Sequence, residues 1–318
     1  AKKAYKKALK TKKKNSKKHW LFIKKGDSAK EIISKLFTQL AVIVLIVCVG
    51  IMGNELWLSI SAKNLNSSLK DLYYSYVDKS SGDGKMLSSA KSLLEINPDT
   101  IGWIHIDDTN ISMPVVQRKN AKDGNDYYLK TAFDGSYNKA GTIFLDKRNT
   151  LTYKQRSDNL VLYGHNQKDK TMFGDLAYYK KGSSGSIEFY KEHPVIEFSS
   201  NFTTDTYKIF AYFVTPVNEN QTSDGYIFDY HNYLNLSDRD KYNDFINNIM
   251  LRSQIITDVD LKYGDEFLTL STCSNEFEPS RFVVFARKVR KDESPEVDVT
   301  KAYINGSAKE PEWSIIYK

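Results

Sequence analysis

Cys273 ends the run Leu268-Thr269-Leu270-Ser271-Thr272-Cys273, and Arg281 opens the run Arg281-Phe282-Val283-Val284-Phe285-Ala286-Arg287. Both are rich in β-branched and aromatic residues, so each reads as a strand, and a short polar link, 274–280, joins them. If they pair as neighbours, the arginine starts its strand beside the end of the strand that carries the thiol. A thiolate attacks carbonyl carbon, and a guanidinium, charged at every relevant pH, can donate two hydrogen bonds to the oxyanion that develops. The missing member is a group that moves protons. His165 ends a third such run, Leu160-Val161-Leu162-Tyr163-Gly164-His165, where Gly164 lets the backbone turn and expose the imidazole. The other histidines past the N-terminal tail suit the task less well. His105 alternates within a strand as a surface residue, His193 precedes Pro194 in a turn, and His231 lies in a Tyr/Asn-rich loop. A thiol and an imidazole, each at a strand end, are what nucleophilic thiol catalysis needs, because the thiolate must be generated and the leaving amine protonated. The bland alternative is an inert buried cysteine beside a structural histidine.

The elements that must hold these groups begin with a charge asymmetry. The chain has 318 residues, 46 Lys+Arg against 39 Asp+Glu, a formal charge of +7 and only 2 Cys. That composition excludes a collagen, a coiled-coil rod, a wholly disordered chain and a disulfide scaffold. Residues 1–35 hold fourteen Lys, no Arg, and only Asp27 and Glu31 as acids, so the basicity belongs to a tail and the remainder is mildly acidic. Aromatic residues are not interleaved through the tail as stacking on bases requires, so no nucleic-acid partner is expected. Residues 36–53 follow without a charge, with Thr38 and Gln39 the polar exceptions. Eighteen residues at about 1.5 Å each nearly cross a hydrocarbon core of roughly 30 Å. A buried core helix and a cleaved signal peptide are the rivals. The flanking lysines argue against the first, and the length and the lack of a small-x-small site against the second. The expectation is a single-pass signal anchor at 36–53, with the Lys-rich tail 1–35 cytoplasmic against anionic lipid and the rest extracellular. Cys48 then lies in the bilayer and cannot pair with Cys273 inside one chain.

Residues 54–97 read as helical. Leu65, Leu69, Leu72, Tyr73 and Tyr76 share one face, and after a polar break at 78–85 a short helix over 86–95 stops before Pro98. From Thr100 onward the period changes to strand-like runs at 101–106, 142–145, 159–163, 187–190, 195–198, 207–214, 266–272 and 281–289. About eight strands with few helices between them predict a mainly β fold, an antiparallel barrel or sandwich. One insertion differs: Ser237-Asp238-Arg239-Asp240 caps a helix whose Tyr242, Phe245, Ile246, Ile249 and Met250 form a docking face. The end of the chain, 293–318, reads as an irregular surface extension.

Thr269-Leu270-Ser271-Thr272-Cys273 followed by Arg281 resembles the TLxTC…R signature of sortases, the membrane-anchored cysteine transpeptidases of Gram-positive cell walls. Gly164-His165-Asn166 with Met172-Phe173-Gly174-Asp175-Leu176 resembles the histidine segment of class B sortases. The runs 97–104 and 140–146 and the inserted helix at 237–252 agree with that class in order, over roughly residues 55–292. The resemblance implies a closed eight-stranded barrel over 98–292, with Cys273 as nucleophile, His165 as acid/base and Arg281 as oxyanion or substrate stabiliser. It implies cleavage of a C-terminal sorting signal in a secreted protein at a Thr-Gly-like bond, through a thioacyl enzyme. The acceptor is then a peptidoglycan cross-bridge amine or, in a pilin polymerase, a pilin lysine. Ser271 and Thr272 border the expected groove, and Asn125 and Leu129 stand where the class contacts substrate. Asn275 occupies the place where an acidic third partner is sought, so no Cys–His–Asp triad is expected. No cofactor and no metal site is expected. A surface cysteine protease and a membrane-tethered binding domain are the readings left beside it.

Overall fold

The computed structural model describes residues 21–77, 85–119, 121–183 and 185–317. The chain divides into two compact units, Ala1–Ile60 and Ser61–Lys318. In the first unit the described chain enters helix α1 (Ala29–Ser75) through Ser28, which bonds the Glu31 carboxylate through both its backbone N–H and its hydroxyl. An 18-residue window of this helix has a mean hydropathy of 2.5 and no buried residue, which makes it long and apolar enough to cross a membrane.

In the second unit the face expected on the following turns is partly used. Leu69 and Tyr73 are buried and Leu65 and Leu72 half-buried, whereas Tyr76 is exposed. The Tyr73 ring stacks on Trp103 at 4.3 Å and its hydroxyl donates to Ser199 Oγ at 2.9 Å, so this face is fixed to the sheet by one apolar and one polar contact. The break read at 78–85 falls mostly outside the described residues. Helix α2 (Ser88–Ile96) then leads into the sheet, and a one-turn helix α3 (Gly124–Tyr127) follows the second strand.

Eight strands close a barrel: β1 (Thr100–His105), β2 (Ser112–Val116), β3 (Ile143–Leu145), β4 (Asn159–Tyr163), β5 (Val195–Ser200), β6 (Thr204–Pro216), β8 (Phe267–Cys273) and β9 (Ser280–Lys288), in the order β1-β2-β3-β4-β8-β9-β6-β5. The short β7 (Ile255–Ile256) stands apart and pairs with β10 (Tyr303–Ile304). The strands carry two apolar faces. Leu160, Leu162, Leu268, Leu270, Phe282 and Val284 fill the interior, while Val161, Phe267, Val283 and Phe285 face outward. Helix α5 (Arg239–Arg252) covers that outer layer with Tyr242, Phe245 and Ile249, as its period predicts, and Asp238 caps it by accepting from Lys241 N. Ile246 is half-buried and Met250 is exposed.

Three local expectations need correcting. The run 187–190 is not a strand but part of helix α4 (Ser186–Glu192). A run of four residues, Ile187-Glu188-Phe189-Tyr190, is too short to distinguish the two periods, and Gly185, at φ +75°, starts the helix. β2 is a strand beyond the expected set: it carries Pro114, a residue that cannot donate to a ladder, in register with Trp103. The barrel is not purely antiparallel: β2 pairs with β3, and β4 with β8, in parallel.

Phe245 is fully buried between Tyr233, Phe267 and Phe285, with ring centroids 5.3, 5.6 and 6.0 Å away. Phe245→Ala is expected to cost about 3–5 kcal/mol, the usual loss for a buried aromatic. A denaturant titration should show a lower midpoint at unchanged slope.

Candidate active site

The polarity of three strands gathers the chemistry at one rim. β8 and β9 are antiparallel neighbours with Cys273 opposite Arg281, so the end of one strand meets the start of the next. Direct partners of this kind have Cβ atoms about 4.5–5.5 Å apart. β4 lies on the other side of β8, in parallel register, with Tyr163 opposite Ser271. Both strands therefore end at the same edge, and the pairing continues one step further, Gly164 N donating to Ser271 O at 3.2 Å. His165 is the next residue, and Asn166 Nδ2 returns to bond Cys273 O at 3.1 Å.

β8 is buried along its whole length until its last residue, and that residue is the exposed Cys273. The strand thus invests its packing in rigidity and leaves only the thiol open. Gly164 is needed for space rather than for a sharp turn, since a Cβ there would stand 2.8 Å from the Phe173 ring. Phe173, fully buried, holds the segment by donating its N–H to His165 O at 2.9 Å. His165 is half-buried, and its Nε2 lies 2.8 Å from Leu129 O. A carbonyl only accepts, so Nε2 carries the hydrogen and Nδ1 is left for exchange with a neighbour.

Arg281 donates Nη1 to Ser280 O at 2.9 Å, and among the described residues no carboxylate pairs with it. The guanidinium therefore faces the cleft with donors to spare. That cleft, about 250 Å³, is lined by Asn125, Leu129, His165, Ser271, Thr272, Cys273 and Arg281, among others. All seven residues singled out in the sequence thus border it, though in different ways. Asn125 accepts from Lys147 N through Oδ1. Leu129 contributes the carbonyl that orients His165, a role its side chain could not announce. Ser271 is buried and its hydroxyl lies 2.7 Å from Tyr230 Oη. Thr272 is buried as well, and its hydroxyl has no hydrogen-bond partner among the described residues.

Sequence reasoning missed the other wall. A second cavity of about 480 Å³ adjoins the first through Asn125, Tyr163 and Arg281, and reaches Thr215, Phe228, Tyr230 and His231. His231, set aside as a loop residue, lines it, and burial lowers its pKa. Asp146 and Arg148 clasp the two walls. The Asp146 carboxylate is wholly buried, accepts from Arg148 Nε at 2.9 Å and Nη2 at 2.8 Å, and accepts from Tyr163 Oη at 2.9 Å. Arg148 then reaches across to Asn232 Oδ1 at 2.8 Å and His231 O at 2.9 Å. The D-x-R spacing was the available signal, but the partner segment lies some eighty residues away. Among the described residues no group of three or more His, Cys, Asp or Glu is placed to hold a metal ion.

The sortase-domain family model matches residues 104–289. Sortase B of Staphylococcus aureus is 34% identical over 203 residues, which span 63% of this chain and 74% of that protein. Among solved structures, a sortase B from B. anthracis overlays with a TM-score of 0.61 at 30% identity, covering 73% of this chain and 97% of that one. A Staphylococcus aureus sortase B–substrate complex overlays with a TM-score of 0.59 at 27% identity, covering 73% and 98%.

The clasp yields a pH prediction. Burial alone would raise the Asp146 pKa, but the hydrogen bonds from Arg148 outweigh it and hold the carboxyl below its ordinary value. A depressed carboxyl adds stability above the unfolded-state pKa near 4, and loses it as pH falls through the lower folded value. Asp146→Asn should therefore destabilise at pH 7 by about 1–3 kcal/mol, with the gap to wild type narrowing below roughly pH 4. Urea midpoints across pH 2.5–7 check this; a gap independent of pH would contradict it.

Proposed function

The chain belongs to the sortase family, as a class B member and a cysteine transpeptidase, and on that premise we propose which of its residues do the chemistry and on what substrate. Cys273 attacks the carbonyl of a Thr-Gly-like bond in a C-terminal sorting signal. His165 takes up the thiol proton as the Cys–acyl bond forms, and passes it to the departing amine as the C–N bond breaks. The oxyanion of the tetrahedral intermediate is held by the Arg281 guanidinium. A cell-wall amine then attacks the thioester and gives up a proton to His165, which passes it to the departing sulfur, so the acyl group leaves on the amine and the thiol is restored. The proton account closes over the two half-reactions, so no further cofactor is required.

The observation that carries the reading is the meeting of three strand ends, β4, β8 and β9, at one rim, with the thiol exposed and the guanidinium unpaired. The sorting signal lies along the two joined cavities, Asn125, Leu129 and Ser271 forming the part next to the sulfur. A Staphylococcus aureus sortase B of similar fold is solved in complex with substrate, which supports a substrate-binding reading of this chain. The apolar segment of α1 anchors the protein in the membrane with its lysine-rich tail inside and its barrel, 98–292, outside, where secreted substrates and wall amines are met.

A panel of sorting-signal peptides incubated with and without triglycine tests the reading. Wild-type protein should give peptide–triglycine product when the amine is present, and Cys273→Ala should give none. Arg281→Ala should lose roughly 10²–10³ in kcat, the scale of removing an oxyanion donor, and Arg281→Lys should not restore it, because an ammonium is a point charge and not a planar fork. Cleavage that persists in Cys273→Ala would overturn the assignment.

A further inference from the structure

The family match ends at residue 289, yet the chain beyond it is neither loose nor remote from the rim. β10 pairs with β7, Asn305 donates its N–H to Gln254 O at 2.9 Å and its Nδ2 to Ser253 O at 2.8 Å, and Lys309 N donates to Leu251 O at 2.8 Å. These bonds lay the segment along the end of α5 and point it back toward the cleft. It then touches two loops, the one that follows β6 and the one that joins Cys273 to Arg281. Glu312 accepts from Ser223 N at 3.1 Å, on the loop that follows β6. The Trp313 ring meets Phe277 edge-on at 5.6 Å and stacks on Tyr317 at 6.0 Å, and the Tyr317 hydroxyl donates to Glu276 O.

Glu276 and Phe277 belong to the seven-residue link, 274–280, between Cys273 and Arg281. That link is already gripped from the other side. Lys180, almost wholly buried, donates to Ser274 Oγ at 3.0 Å and to both Glu276 carboxylate oxygens at 2.9 Å. Ser274 N donates to Ser280 O at 3.1 Å, and Ser280 Oγ returns to Ser274 O at 3.1 Å. The adjacent Lys181 pairs with Glu310 at 3.0 Å, so one short stretch of chain holds both the link and the C-terminal segment. The link is therefore clamped between Lys180 inside and Trp313 and Tyr317 outside.

We infer that the C-terminal segment 303–317 is a buttress for the nucleophile–arginine link, with Trp313 and Tyr317 as positioning residues that fix Arg281 relative to the Cys273 sulfur. The inference rests on the roles given to Cys273 and Arg281 under Proposed function. A turn that breathes moves the guanidinium away from the site where charge develops, and a donor held about 1 Å out of place loses much of its value.

The experiment uses the full chain and needs no substrate. Hydrogen exchange is measured on peptides covering 274–281, and Cys273 is alkylated with neutral iodoacetamide and anionic iodoacetate, with the site read by peptide mass spectrometry to separate it from Cys48. Trp313→Ala and Tyr317→Phe, the latter removing one hydroxyl only, should speed exchange in 274–281 by roughly two- to tenfold, the scale of losing one aromatic edge contact or hydrogen bond. They should also lower the iodoacetate-to-iodoacetamide ratio toward that of Arg281→Ala, and Trp313→Phe should restore both readings. Wild-type exchange in Trp313→Ala would overturn the buttress, as would faster exchange spread over all barrel strands. A ratio that Arg281→Ala itself leaves unchanged would instead count against the catalytic reading of the arginine, and the exchange data would still judge the buttress.

Discussion

The parallel pairing of β4 with β8 is the constraint from which the site follows. Strands that run in the same direction end at the same edge, so a histidine just beyond one and a cysteine at the end of the other become neighbours. An antiparallel β4 would carry His165 to the opposite end of the barrel. Because β9 returns antiparallel to β8, its first residues come to the same edge, and Arg281 arrives opposite Cys273. Three functional groups more than a hundred residues apart at their extremes thus need no special loop to bring them together. They need only strand direction and register, which the buried two-sided packing of Leu160, Val161, Leu268 and Leu270 holds against slippage.

Around that edge, polar groups are arranged so that most of them are satisfied and few are free. Ser271 is bound to Tyr230, Asp146 to Arg148 and Tyr163, Asn125 to the backbone at Lys147, and His165 through Nε2 to Leu129 O. Each of these contacts fixes a wall of the cleft. Among the described residues at the rim, the exposed thiol and most of the guanidinium remain without a partner, as does the buried Thr272 hydroxyl. A site organised this way spends little reorganisation when charge develops, because the donors already point where they are required. The clamp on the 274–280 link extends the same logic to the spacing between the thiol and the guanidinium.

Much of this was legible in the sequence, because side-chain type and strand-end position carry the signal. Cys273, Arg281 and His165 stand at the ends of runs whose β character is plain, and the helix over Arg239–Arg252 shows its docking face in the spacing of Tyr242, Phe245 and Ile249. The remainder was hidden for physical reasons. Parallel pairing between β4 and β8 depends on residues far apart in the chain, which periodicity cannot relate. The part played by Leu129 is a backbone carbonyl, independent of residue type. β2 carries Pro114, which cannot donate to a ladder, and the run 187–190 was too short to reveal its helical period. Arg148 becomes informative only when Asn232 and His231 O are seen across the cleft, and Trp313 and Tyr317 only when Phe277 and Glu276 are found beneath them.

The central claim is covalent: during turnover the acyl half of the substrate is carried on Cys273. Intact-mass spectrometry on acid-quenched protein, taken while a cleavable sorting peptide is turned over without amine, tests it most directly. The account predicts an adduct equal to the N-terminal peptide fragment less one water, located on the peptide that contains Cys273 and discharged when triglycine is added. Product that accumulates with no adduct, or with the adduct on any other residue, would contradict it.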